Sequence, residues 1–312
     1  MTDHTLVHRA LLYGKDEEFL GAAVPFLQEG LGTGDHILAV LPRNESDAVR
    51  DVMRGDAGHI HFYDAHEFYG HPVRTISAYN DVVRGVAPRR VRALASVDWT
   101  GRKGGIQLAE WARYESLVNV AFGSSGAQVI CPYDRRVLPP PVIDEAMRTH
   151  PEMLSGGNYP TYNGNSYTDP LEFGARMNRR ETLQAPPDGV DRIGIESLDL
   201  APMRRFLKDK AAQLGLERTK LGGLVTAVNE IATNAVVHGT PPIELMVWKQ
   251  DDELHCEVAD IGLWHPDELA GFIPPADATA QGFGLWSARM LVDVIQIRAG
   301  YDGTRVRLRS AL

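Results

Sequence analysis

Cysteine is nearly missing from this sequence: 312 residues contain two, Cys131 and Cys256. A pair so far apart excludes a disulfide framework and any all-cysteine zinc site within one chain. Long hydrophobic runs are missing as well, and no apolar stretch approaches the ~18 residues that span a bilayer. Residues 1–14 mix Asp3, His4, His8 and Arg9 with apolar residues and contain no secretory apolar core. Positive charge is in deficit: 32 Lys and Arg against 41 Asp and Glu leave a net −9. The total therefore supplies no general affinity for nucleic acid or an anionic membrane. Internal repeats and low-complexity tracts are also absent. These absences predict an acidic, soluble, cytoplasmic protein.

What is present is globular composition. Apolar residues make up 44% and charged residues 23%, which excludes a wholly disordered chain. At ~150 residues per domain the length favours two domains. In the first half, residues 17–31 place Phe19, Leu20, Ala23, Val24 and Leu27 at the spacing of a helix packed on one side. Gly30, Gly32 and Gly34 end it, and 36–41 follows as a short apolar run suited to a buried strand. Residues 60–63, 91–97 and 127–131 are further strand candidates, with a helix at 108–122 before the last. This alternation predicts a parallel sheet with helices on its faces.

The texture changes over 155–187, which is rich in Gly, Asn and Pro and lacks periodicity; it reads as an irregular tail followed by a linker. The domain boundaries read from this are 1–176, a linker at 177–190, and 191–312. The last part predicts helices at 200–214 and 219–238, then strands at 243–249 and 254–259. After an irregular segment come a helix at 285–292 and a hairpin of 294–299 with 304–309 around Asp302-Gly303. Helices first and antiparallel strands later predict an α/β sandwich.

The 219–238 helix carries the strongest chemical signal. Glu230 and Asn234 stand four residues apart, side by side on its surface and roughly 140° from the centre of its apolar stripe. A carboxamide oxygen suits Mg²⁺, and a neighbouring carboxylate can accept a proton or orient an attacking hydroxyl. Taken alone, a solvated Glu and Asn would be the simpler reading. Two more elements weigh against it. Asp260-Ile261-Gly262 ends a predicted strand, where a lone carboxylate can accept from an exocyclic amine and glycine lets backbone approach. Gly282-Phe283-Gly284-Leu285 opens a helix, whose free N–H groups and dipole favour phosphate. Each motif is weak alone; their order and context are specific.

The stretch Asn229-Glu230-Ile231-Ala232-Thr233-Asn234-Ala235-Val236-Val237-His238-Gly239, with Asp260-Ile261-Gly262 and Gly282-Phe283-Gly284-Leu285, resembles the three ATP-binding boxes of the GHKL superfamily. More narrowly it resembles serine-kinase anti-sigma factors that regulate bacterial stress and sporulation transcription. Over 191–312 the resemblance implies a Bergerat-type fold binding ATP and Mg²⁺. Asn234 would sit on Mg²⁺ and Glu230 would be the catalytic base. Asp260 would bond the adenine amino group, Gly262 would make room for the base, and Gly282, Gly284 and the adjoining Leu285 would cradle phosphate. Thr304 resembles the family's late threonine near the adenine. Residues 263–281, with Gly271 and three prolines, would be a lid over the nucleotide. Leu263 and Trp264 depart from the family, which often has another glycine there. Histidine kinases share the boxes but need an upstream phosphoacceptor histidine, and 151–237 contains none.

In the first half, Gly30-Leu31-Gly32-Thr33-Gly34-Asp35 lacks the Lys-Ser/Thr ending of a phosphate loop and lies between helix and strand; a helix C-cap explains it better. His8, Tyr13, Trp99, Glu110, Arg113, Glu115, Cys131, Tyr133 and His150 fall near strand ends or on the 108–122 helix. Singly, each reads as surface ion pair or core aromatic. Together, the stretches around His8, Glu18-Phe19-Leu20, Arg113-Tyr114-Glu115, Cys131-Pro132-Tyr133-Asp134 and Thr149-His150-Pro151 resemble the MEDS sensory domain. That resemblance implies a RecA-like parallel α/β domain without a working phosphate loop, with His8, Trp99, Glu115, Cys131, Tyr133 and His150 as the sensory pocket. His8, Cys131 and His150 are metal-ligand types, yet their scattered positions match no ligand spacing.

The sequence thus predicts a two-domain transcription regulator. Its partners would be a sigma factor and an anti-anti-sigma protein of the STAS type, phosphorylated on Ser or Thr, with a small molecule at the sensory domain. A homodimer is compatible with the resemblance. The alternative is a partner-binding module gated by nucleotide without kinase turnover. A DNA-binding regulator lacks its basic helix; Arg307 and Arg309 on the last strand do not supply one.

Overall fold

The computed structural model describes residues 5–100, 102, 105–155, 161–180, 183–264, 266, 267, 269–275 and 282–312. The chain divides into two compact units, Met1–Glu181 and Thr182–Leu312. Among the described residues no helix is long and apolar enough to cross a membrane.

The first unit runs β1 (Val7–Tyr13), α1 (Asp16–Thr33), β2 (His36–Leu41), α2 (Arg43–Met53), β3 (His61–Asp64), α3 (Ala65–Phe68), α4 (Pro72–Val86), β4 (Val91–Ala95), α5 (Gly105–Ala121), β5 (Gln128–Asp134), α6 (Pro140–Thr149), β6 (Glu152–Ser155), β7 (Thr161–Tyr162) and α7 (Pro170–Arg180). Seven described strands form one sheet in the order β3-β2-β4-β5-β1-β6-β7, parallel except for β6 with β7. Strands β2 and β4, inside the sheet, are buried along nearly their whole length, as strands covered on both faces must be. Helix α1 opens on Asp16, Glu17 and Glu18, which complement its dipole, and closes on a left-handed Gly34 whose N–H reaches Gly30 and Leu31 carbonyls. Of the glycine run, only Gly34 caps the helix; Gly30 and Gly32, expected to end it, lie inside its last turns, where Gly30 packs against the Arg92 side chain.

The second unit runs β8 (Asp191–Gly194), α8 (Ala201–Gln213), α9 (Arg218–His238), β9 (Glu244–Gln250), β10 (Glu253–Asp260), α10 (Phe283–Leu291), β11 (Val294–Gly300) and β12 (Gly303–Ala311). Its five described strands are antiparallel, in the order β11-β12-β10-β9-β8. Alternation along β10 and β12 sends Leu254, Cys256, Val258, Val306 and Leu308 into one core with Leu207, Val228, Ile231 and Leu285 of the helices. Each fully buried aliphatic side chain there contributes ~1.5–3 kcal/mol. The opposite face carries the charged half of the alternation. Glu257, fully buried, accepts from Arg305 and Arg307 at 2.7 and 2.6 Å, and both arginines donate to the Gln184 carbonyl.

The irregular reading of 155–187 does not hold throughout. Residues 170–180 form α7, which buries Phe173 and Met177 against Ala109 and Ala112 of α5. The segment read as a linker, 177–190, is split: its start completes α7, and Gln184 is tied to β12. Its Gly, Asn and Pro content concealed a helix that tertiary packing stabilises.

Candidate functional site

Helix α9 turns Leu224, Val228, Ile231 and Ala235 into the core, which leaves Glu230 and Asn234 half-buried on its flank. Neither side chain has a hydrogen-bond partner among the described residues. Asn234 lines a cleft of about 520 Å³ together with Asp260, Gly282, Gly284, Leu285 and Thr304. Glu230 borders it: a Cβ on Gly284 would stand 2.8 Å from Glu230 Oε2, so a side chain there would push this carboxylate aside. Gly282 caps α10 in the left-handed region at φ 89°. The N–H groups that follow it begin the helix without intrahelical acceptors.

Asp260 ends β10 at 8% exposure. Its Oδ1 accepts from the N–H groups of Thr240 and Gly262 at 3.1 and 2.7 Å, whereas Oδ2 accepts from none of the described residues. Gly262 is required by close approach, because a Cβ would lie 2.8 Å from Asp260 Oδ1 and 2.9 Å from Thr240 Oγ1. Thr304 lines the cleft but spends its hydroxyl on the chain: Oγ1 donates to the Gly262 carbonyl at 2.8 Å and accepts from Trp264 N–H at 2.9 Å. It thereby fastens the start of the expected lid to β12. Of that lid, residues 265, 268 and 276–281 lie outside the described residues. Ile231 of the first motif and Trp264 and Gly271 of the expected lid also line the cleft.

The cleft suits a nucleotide with a metal. It offers a fixed carboxylate with a spare oxygen, a helix start presenting backbone donors, and an unpartnered amide and carboxylate side by side. The last strand offers no free basic row: Arg307 is held by Glu257, and Arg309 donates to Glu253.

The first unit gathers most of its predicted pocket at one point. His8 on β1, Glu115 on α5, Cys131 on β5 and His150 after α6 are all buried, and one ligand-type atom from each lies within 4.8 Å of the others. The His8 and His150 rings are 4.0 Å apart, and Tyr133 stands edge-on to His150 at 5.6 Å. Trp99 does not join them; its nearest ring is Tyr133, 6.5 Å away. Burial pushes the Glu115 carboxyl up to about 8, only partly countered by Tyr133 and Cys131, and lowers His8 to about 4. A small apolar cavity lined by Tyr69, Tyr79, Tyr114 and Ala93 adjoins the cluster. Asn119 was missed by the sequence reading, although it lies one helical turn beyond Glu115; it accepts from His8 Nδ1 at 3.1 Å. The Glu110–Arg113 pair, read as a surface contact, is mostly buried, with Arg113 donating to Asn178 of α7 at 2.7 Å.

Comparison with known proteins gives two family matches. Residues 7–151 match the MEDS domain, the methanogen/methylotroph DcmR sensory domain. Residues 196–310 match the histidine kinase-like ATPase domain. A crystal structure of the RsbU and RsbW domains of Rv1364c from Mycobacterium tuberculosis is 22% identical with a TM-score of 0.29, covering 41% of this chain and 34% of that chain. No curated protein matches the chain.

Proposed function

We propose that this chain, in which a MEDS sensory domain precedes a histidine kinase-like ATPase domain, is an anti-sigma regulator with protein Ser/Thr kinase activity. Its C-terminal unit binds a sigma factor and phosphorylates a STAS-type antagonist, under control of the N-terminal unit. The observation that carries this reading is the convergence of Glu230, Asn234, Asp260 and the start of α10 on one cleft. ATP would supply the γ-phosphoryl group, and Mg²⁺ would offset the phosphate charge. Asn234 would hold the metal through its amide oxygen. The backbone donors after Gly282 would orient the phosphates, and Asp260 Oδ2 would accept from the adenine amine. Glu230 would take the proton from the attacking Ser or Thr hydroxyl as ADP leaves. Thr304 serves this site by anchoring the lid's first residues.

The test is phosphotransfer. The purified chain is incubated with labelled Mg-ATP and its cognate antagonist, co-purified from the native host. Labelled Ser or Thr on the antagonist is expected, with the rate at least ~100-fold lower in Glu230→Ala, the size of general-base effects. An unaltered rate in that variant would overturn the role of Glu230. Bound nucleotide and partner exchange without phosphoprotein would replace the kinase by a nucleotide-gated binding module.

A further inference from the structure

We propose that His8 Nε2, His150 Nε2, Cys131 Sγ and a carboxylate oxygen of Glu115 form a binding site for one divalent transition-metal ion, with zinc the best match to the donors. Three of the six ligand separations match a filled site, and all six fall within 4.8 Å. Cys131 Sγ lies 3.4 Å from His8 Nε2, and Glu115 Oε2 lies 3.7 Å from His8 Nε2 and 3.5 Å from His150 Nε2. Four ligands at zinc's usual bond lengths sit at tetrahedron corners about 3.3–3.8 Å apart.

The surrounding hydrogen bonds set the tautomers that such a site needs. The Ala146 carbonyl can only accept, so His150 Nδ1, 2.9 Å away, carries the proton and Nε2 carries a lone pair. Asn119 Nδ2 donates to the Ser116 and Thr149 carbonyls, which turns Oδ1 toward His8 Nδ1 and fixes the same tautomer there. Both imidazoles therefore aim bare Nε2 atoms at Glu115 and Cys131, each held by an acceptor on its other ring nitrogen as metal-ligating histidines are.

The third argument is satisfaction. Among the described residues, His150 Nε2 and both oxygens of Glu115 are buried without a well-formed hydrogen bond, Glu115 having only the looser approach of Tyr133 and Cys131. Unpartnered buried polar atoms are costly, and a shared cation removes the cost for all of them. A thiolate and a carboxylate together cancel a dication, so the occupied site is neutral overall, as a buried site requires. Two imidazoles and a thiolate select zinc, cobalt or copper over magnesium and calcium. Four protein ligands fill the tetrahedral shell, which fits a site that braces β1, β5, α5 and the end of α6 better than one that activates water.

The test uses the full-length, tag-free chain, stripped with chelator and kept free of nucleotide. Cobalt(II) titration is expected to saturate at one equivalent, with tetrahedral d–d bands and thiolate-to-cobalt charge-transfer absorption, and zinc should displace it. Cys131→Ser should abolish the charge-transfer band. Asn119→Ala, which removes a supporting contact only, should weaken metal binding ~10–100-fold. Asn234→Ala should leave the stoichiometry unchanged, which separates this site from the nucleotide cleft. If a variant fails to fold by circular dichroism, the wild-type spectrum and stoichiometry decide alone. Substoichiometric binding by the wild-type chain, or a cobalt spectrum without the thiolate band, would overturn the site.

Discussion

A carboxylate oxygen that accepts two backbone N–H groups is held in one place, and Asp260 Oδ1 is in that position between Thr240 and Gly262. Asp260→Asn keeps an acceptor for both donors but turns the other oxygen into an amide donor. We expect the fold to persist and nucleotide affinity to fall by ~1.5–3 kcal/mol, the usual worth of a bond to a charged group. Calorimetry with Mg-ATP checks it. Gly262→Ala should lose stability as well as affinity, since its Cβ would press on both Asp260 and Thr240; thermal melts without nucleotide would show a loss of ~1–3 kcal/mol. In the first unit, Glu45 accepts from the Tyr13 hydroxyl at 2.9 Å, and burial pushes its carboxyl up to about 7. The unfolded chain releases that proton near an ordinary Glu value, so folding takes up a proton between roughly pH 4.5 and 7. The Glu45 contribution to stability should therefore fall as pH rises through that window, and the difference in stability between wild type and Glu45→Gln should shift across it in a denaturation series.

Helix α9 shows how much one element reveals on its own. Its apolar stripe predicted a helix over 219–238 against Arg218–His238 observed, and the same spacing set Glu230 and Asn234 off the core. Helix α7 shows the opposite. It has eleven residues, too few for propensity to declare it, and it exists because Phe173 and Met177 bury against α5. The outer face of the second sheet was legible only as alternation; that its charges close into a buried network required the register pairing Glu257 with Arg307. Removing one member of such a network strands the others. Glu257→Ala should cost the second unit ~3–5 kcal/mol, read from urea denaturation, because Arg307 would remain buried without its counter-charge.

For the whole molecule, the proposed nucleotide cleft and the proposed metal site fall in different units. At a hundred times its dissociation constant, Mg-ATP should stabilise the second unit by about 2.7 kcal/mol. Hydrogen exchange should show that protection concentrated in α9, α10 and β10, and unchanged exchange there would count against the cleft as the nucleotide site.

The sequence by itself determined the class of each unit and placed the Glu230–Asn234, Asp260–Gly262 and Gly282–Gly284 motifs on a helix, a strand end and a helix start, because helix and strand periods and short loop-to-helix motifs are local properties. The resemblance grouped His8, Glu115, Cys131 and His150 with Trp99 and Tyr133; only tertiary structure decided that these four meet at ligand distance while Trp99 stays apart. In a parallel sheet, neighbouring strands are far apart in the chain: β1 lies between β5 and β6, with Ala10 opposite both Cys131 and Met153. No local spacing records that adjacency; it follows from how the strands order themselves to bury their apolar faces.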